Sequence, residues 1–126
     1  MKLYNKLKER LLSIGGTTIP EFIGSDDIEI YNLLKSGTVS TPQISKILIR
    51  KGTPSKCHRN CCDMYERDIS LRIVTGFCLS DNTWYEHSWL LNKSNSLIET
   101  TIKRDIYFGY ILSRGEETDN FLFNNS

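Results

Sequence analysis

The sequence predicts an α+β fold in which N-terminal helices pack on a small antiparallel sheet. Three observations carry this expectation. Apolar residues recur at helical spacing up to about residue 67, they alternate over roughly 71–112, and the chain between these alternating runs is polar and turn-forming. At 126 residues the chain holds one domain, read as a helical part over 1–51, a chemistry-bearing core over 52–112 and a polar tail over 113–126.

Leu3, Leu7, Leu11 and Ile14 lie on one helical face, and Gly15-Gly16 stops that helix. Thr17 to Gly24, with Pro20, reads as an irregular connection. Ser25-Asp26-Asp27 then supplies capping oxygens for a short helix through Ile28, Tyr31, Leu33 and Leu34 that ends near Gly37. Thr41-Pro42 starts another, because proline suits the first helical turn, where its missing N–H is harmless. Its stripe is Ile44, Ile47 and Leu48, and Gly52 closes it. After the loop Gly52-Thr53-Pro54-Ser55, Ser55 is the expected cap of a helix to about Arg67. Four strands follow: Leu71 to Leu79, Trp84 to Leu91, Ser96 to Ile102 and Ile106 to Leu112. The turns between the first three are Ser80-Asp81-Asn82-Thr83 and Asn92-Lys93-Ser94-Asn95. Phe121, Leu122 and Phe123 are the apolar residues of the tail and would dock it if it docks at all.

Lys plus Arg number 16 against 15 Asp plus Glu, a formal net charge of +1, which argues against a nucleic-acid binder held by phosphate neutralisation. A hydrophobic content of 39% with 25% charged residues fits a soluble globular domain, and no apolar run is long enough to span a membrane. Lys2, Lys6, Lys8, Glu9 and Arg10 interrupt the apolar residues of the N-terminus, unlike a secretory signal. A cytoplasmic location and reduced thiols are therefore expected. Alanine is absent and glutamine occurs only at Gln43, a bias of the coding DNA rather than a functional signal.

The four cysteines are Cys57, Cys61, Cys62 and Cys78. Adjacent Cys61 and Cys62 are awkward for two local disulfides. Cys57, His58, Cys61 and Cys62 all carry ligand atoms, yet the second separated pair of a structural zinc site is missing, since only Cys78 and His87 follow. Neither a metal nor another cofactor is expected.

Cys57 opens a helix after a Gly/Pro loop, where the helix dipole and free N–H groups lower a thiol pKa. His87 lies in one expected strand and Glu99 in the next. Nucleophile, base and orienting carboxylate together make the general triad. Direct pairing of His87 with Glu99 centres the hairpin on Lys93 with a loop of about three residues, whereas a two-residue loop would put them on opposite faces. Taken singly, each residue has a plainer role. A helix-start cysteine is more often a small core residue, His87 can be a hydrogen-bonded half-buried side chain, and Glu99 a surface carboxylate. Tyr107-Phe108 is most simply core packing. Cys61 shares a helix face with Cys57, which allows a resolving role or a core role, and Cys62 and Cys78 read as structural. Asn60, one turn after Cys57, offers an amide for an oxyanion or for tying down a loop, and Trp84, Trp89 and Tyr107 are candidates for a substrate wall.

The segments GTPSKCHRN (52–60), TGFCLSDNTWYEHSWL (75–90), LIETT (97–101) and YFG (107–109) resemble a family of uncharacterised bacterial and phage-type proteins. That family has a Cys-His-x-Asn element, a Gly-aromatic strand, His-Ser/Ala-Trp, an acid followed by Thr, and Tyr-Phe-Gly. The layout is similar to the papain-like and transglutaminase-like cysteine fold, which places the nucleophile at a helix N-terminus and His and acid on successive strands. Here the order is Cys57, His87, Glu99. Glu99 stands where transglutaminase-like triads usually have Asp, and the oxyanion Gln of papain-type enzymes has no counterpart over 52–56.

The resemblance and the residues together imply a cysteine hydrolase or acyltransferase acting on a peptide, protein or small amide. Two other classes stand beside it. One is a non-catalytic interaction module on the same fold, such as a phage-encoded inhibitor of a host protein. The other is a small metal-bound domain built on Cys57, His58 and Cys61.

Overall fold

A computed structural model describes residues 2–19 and 26–126. Among these the chain runs α1 (Lys2–Ile14), α2 (Asp27–Ser36), β1 (Thr38–Ser40), β2 (Ile47–Ile49), α3 (Cys57–Arg67), β3 (Arg72–Ser80), β4 (Thr83–Leu91), β5 (Leu97–Glu99), β6 (Ile106–Ile111) and α4 (Glu116–Asn125). The expected connection over Thr17 to Gly24 and the cap at Ser25 lie largely outside the described residues. Asp26 caps α2 instead, its carboxylate accepting from the Glu29 N–H at 2.9 Å.

The strands form one curled mixed sheet in the order β1-β6-β3-β4-β5-β2. At its centre β3, β4 and β5 follow one another antiparallel, but the fourth strand of the run does not continue a meander: β6 crosses back to pair antiparallel with β3, the return of a Greek key. Asp81 and Asn82 both take positive φ, the mirror-image turn that matches the twist of a two-residue hairpin between β3 and β4.

Two expectations are corrected at the edges. Residues 42–45 make a single turn, with the Ser45 N–H on the Thr41 carbonyl, and Ile47–Ile49 then extends as β2, parallel to β5. The sheet is therefore not purely antiparallel. The spacing of Ile44, Ile47 and Leu48 fits a helical stripe, but β-branched Ile47 and Ile49 favour an extended edge strand once a partner is beside it. The tail likewise forms α4, seated through Phe121 and Leu122 against the core.

Alternation gives the sheet two different faces. One carries Ile73, Phe77, Leu79, Trp84, Leu90 and Phe108 against Leu7 and Leu11 of α1, Ile30 and Leu33 of α2 and Cys61 of α3. The other carries a smaller cluster of Val74, Cys78, Trp89, Leu97 and Tyr107, with His87 and Glu99 in the same alternation. Among the described residues no helix is long and apolar enough to cross a membrane.

On that second face the Trp89 indole lies against the backbone of β6. A methyl group on Gly109 would stand 2.6 Å from Trp89 Cη2 and 2.8 Å from the Thr75 carbonyl oxygen. Gly109→Ala is therefore expected to destabilise by about 1–3 kcal/mol through overpacking, read as a lower urea midpoint. An unchanged midpoint would mean that the indole does not rest there.

Candidate functional site

The loop that leads into Cys57 is tied at both ends. As β2 runs out, the Arg50 and Gly52 N–H groups donate to the Glu99 and Thr100 carbonyls, each at 2.9 Å. The Asn60 side chain then binds the loop from the helix side. Its Oδ1 accepts from the Thr53 N–H at 3.0 Å, and its Nδ2 donates to the Thr53 carbonyl at 2.8 Å and to Thr100 Oγ1 at 3.3 Å. A Cβ at Gly52 would fall 2.4 Å from the Asn60 side-chain carbon, so only glycine fits beside this strap. Both Asn60 amide hydrogens are engaged, which places Asn60 as loop support and leaves none for an oxyanion. Ser55 takes φ 62° rather than capping α3; Lys56 is the cap residue, with no side-chain cap bond. The first turn of α3 thus keeps its free N–H groups and positive dipole end at Cys57.

His87 and Glu99 meet by a register other than direct pairing. Leu90 pairs with Ile98 and Leu91 with Leu97, so Glu99 falls opposite Trp89 and diagonal to His87. The connection 92–96 is longer than expected, closed by the Ser94 and Ser96 N–H groups donating to Asn92 Oδ1 and by Asn95 at positive φ. A shift by an even number of residues preserves the face, and His87 Nε2 lies 2.8 Å from Glu99 Oε1. The His87 imidazole also acts on Cys57, whose thiol pKa it lowers. Because Nε2 is committed to Glu99, Nδ1 is the ring nitrogen left for the sulfur, the reverse of the ring usage in serine-protease triads. The Ser88 backbone N–H adds to this lowering, at a stretch of β4 that β5 does not cover.

Glu99 is fully buried and accepts four hydrogen bonds. Oε1 receives His87 and, at 2.8 Å, the Tyr107 hydroxyl; Oε2 receives the Thr101 N–H and hydroxyl, each at 2.9 Å. The Arg104 Nε stands 3.9 Å from Oε1. Burial pushes the Glu99 pKa up, but the His87 bond and charge and the Thr101 and Tyr107 donors outweigh it and hold the carboxyl below its usual range. Burial pulls His87 down, yet its bonds to Cys57 and Glu99 raise it overall. For Cys57, burial is outweighed by the bond and charge of His87 and by the Ser88 N–H, so the thiol pKa is lowered. The three together favour thiolate, imidazolium and carboxylate.

The other thiols are driven the opposite way by burial. Cys61 is pushed well up, Cys62 to about 11 and Cys78 to about 12. Cys57 is the half-buried one, while Cys61, Cys62 and Cys78 are closed to solvent, and all four are free thiols. The metal-ligand set considered from the sequence does not converge. Cys57 turns to His87, the His58 Nδ1 lies 2.6 Å from Ser88 Oγ, and Cys61 is in the core.

None of the three aromatic residues expected as a substrate wall presents an accessible surface. Trp84 lies on the helix-covered face, its Nε1 donating to the Gly15 carbonyl at 2.9 Å. Trp89 is 3% exposed and stacks on His87 with ring centroids 5.9 Å apart. Tyr107 is fully buried, and its hydroxyl serves Glu99. Sequence reasoning missed Thr101, although a hydroxyl residue two positions after an acid can bond it locally, and missed the roles of Ser88 and Arg104, for which no sequence pattern stands out. A cavity of about 500 Å3 between α2, α4 and the sheet takes in His58 and Glu86, the chain neighbours of Cys57 and His87, but neither of the latter.

Compared with protein-family models, with curated proteins and with solved structures, the chain finds no significant match.

The buried carboxylate sets the acid side of stability. A pKa lowered on folding stabilises above the ordinary glutamate range, and that contribution is lost as pH falls through the folded value. Glu99→Ala is expected to cost roughly 3–5 kcal/mol near neutral pH, because it leaves His87 and Tyr107 without their buried acceptor. It should also flatten the acid limb of stability against pH, both read by denaturant titration. A variant as stable as the parent and equally acid-sensitive would show that the four hydrogen bonds carry no net weight.

Proposed function

We propose that this chain is a small cysteine hydrolase or acyltransferase with a papain-like or transglutaminase-like core, acting on an amide or thioester-type carbonyl. The observation that carries this reading is the buried His87–Glu99 pair at 2.8 Å, with the Cys57 sulfur at a helix N-terminus and its thiol pKa lowered by the His87 imidazole. The chain order and the acid on the strand next to the histidine strand support the core assignment.

In the proposed reaction the Cys57 thiolate attacks the carbonyl carbon, and the C–S bond forms as the carbonyl π pair moves onto oxygen. The Cys57 N–H and the positive end of α3 stabilise that oxyanion. The His87 imidazolium gives its Nδ1 proton to the departing amine or thiolate as the scissile bond breaks, leaving a thioester on Cys57. His87, now neutral, takes a proton from water or an acceptor amine, which attacks the thioester and releases the thiolate. Glu99 keeps its charge throughout and fixes the ring through Nε2. Peptides, proteins and small amides are the substrate class.

Iodoacetamide at about pH 6.5, with peptide mapping by mass spectrometry, should label Cys57 well ahead of the other three thiols, because the thiolate is the reacting form. His87→Ala should slow that labelling at least roughly tenfold, since each unit of pKa is tenfold in thiolate below the midpoint. Equal labelling of the four thiols, or a rate indifferent to His87→Ala, would sink the proposal. An activated ester should in addition leave one acyl group on the parent and none on Cys57→Ala.

A further inference from the structure

Two successive residues of α3 grip two successive residues of β4. Cys57 reaches His87 on one face of the sheet, and His58 reaches Ser88 on the other. The His58 Nδ1 lies 2.6 Å from Ser88 Oγ, and Ser88 Oγ donates its hydrogen to Thr75 Oγ1 at 3.0 Å. A serine hydroxyl has one hydrogen, and here it is spent on β3, so His58 must be the donor through Nδ1–H. Ser88 is fully buried, and no water can replace a lost partner at no cost. The Phe121 ring stands edge-on to His58 at 5.9 Å and backs the imidazole with α4. The backbone N–H of this same Ser88 is one of the groups that lower the Cys57 pKa, and Cys57 directly precedes His58 on α3.

We propose that His58 is a positioning residue: its Nδ1–H clamps Ser88 between α3 and β3, so that the start of α3, with Cys57 one residue before His58, stays seated on β4 beside the Ser88 backbone N–H. His58 touches no reacting atom in this scheme. It rests on the reading of Cys57 as a thiolate nucleophile and adds to it a second imidazole with a different task. The ionisable groups acting on Cys57 are His87 of β4 and Glu99 of β5, and those acting on His58 are His87 and Glu86, both on β4. Burial and the His87 charge lower the His58 pKa, which suits a neutral donor.

The test is the pH profile of Cys57 alkylation in full-length His58→Leu, His58→Asn, Ser88→Ala and the His58→Leu/Ser88→Ala double variant. Asparagine can present an N–H near the Nδ1 position, whereas leucine cannot. His58→Leu should move the midpoint of the profile upward and slow alkylation below it by roughly tenfold, the weight of one oriented hydrogen bond in a buried setting. His58→Asn should restore most of the parental rate. Ser88→Ala should reproduce the leucine effect, and the double variant should add nothing further. The clamp is overturned by a His58→Leu profile that superimposes on the parent, by an asparagine variant as slow as leucine, or by additive single effects. Should His58→Leu fail to fold, Ser88→Ala beside His58→Asn decides the same question. If His87→Ala leaves the parental rate unchanged, the nucleophile reading itself fails; if only the His58 series is silent, the clamp fails alone.

Discussion

A carboxylate sealed from water must be answered by enough hydrogen bonds to hold its charge, and Glu99 organises the centre of this molecule around that demand. Four donors come from three places: His87 on β4, Thr101 just beyond β5, and Tyr107 on β6. Satisfying them draws the segment after β5 back over the sheet, and Arg104 pins it, its N–H donating to the Tyr107 hydroxyl and its guanidinium to Thr101 Oγ1. The short β5, the parallel β2 beside it and the loop leading into α3 all take their places from the same residues. The Glu99 and Thr100 carbonyls accept the N–H groups that carry the chain toward Cys57.

This explains how so small a domain separates one thiol from three. Cys61 and Cys62 meet burial beside negative groups, the Arg104 charge near Cys78 is too weak to offset burial there, and the pKa values of all three rise. Cys57 meets burial together with an imidazole whose own pKa is raised by Cys57 and Glu99, and the thiol pKa falls. Hydrophobic packing and reactivity are thus distributed over the four sulfurs by neighbours rather than by exposure alone.

What the sequence reveals is local. The Gly/Pro loop before Cys57, the helical period after it and the alternating strands are readable because each follows from spacing over a few residues. Parity suffices to bring His87 and Glu99 to one face even though the register differs by two positions, since the side-chain period of a strand is two. The losses are long-range. Ile44, Ile47 and Leu48 cannot declare whether their spacing belongs to a helix or to an edge strand until Leu97–Glu99 is beside them. Helix α4 is polar over most of its length and is defined by Phe121 and Leu122 meeting a core assembled elsewhere. Tyr107 reads as core packing or as a substrate wall, and its burial fits the first; the acceptor for its hydroxyl lies eight residues away and has no local mark.

The Tyr107 hydroxyl has a consequence for where the proton can go. It shares Oε1 with His87, and Thr101 fills Oε2 twice, so every face of the carboxylate already holds a donor. A proton arriving on Glu99 would have to displace one of these donors and leave it stranded away from water. The carboxylate is a closed terminus. The ring nitrogen that faces the carboxylate is thereby fixed, and only the side of the ring turned to the sulfur is left for a proton to come and go.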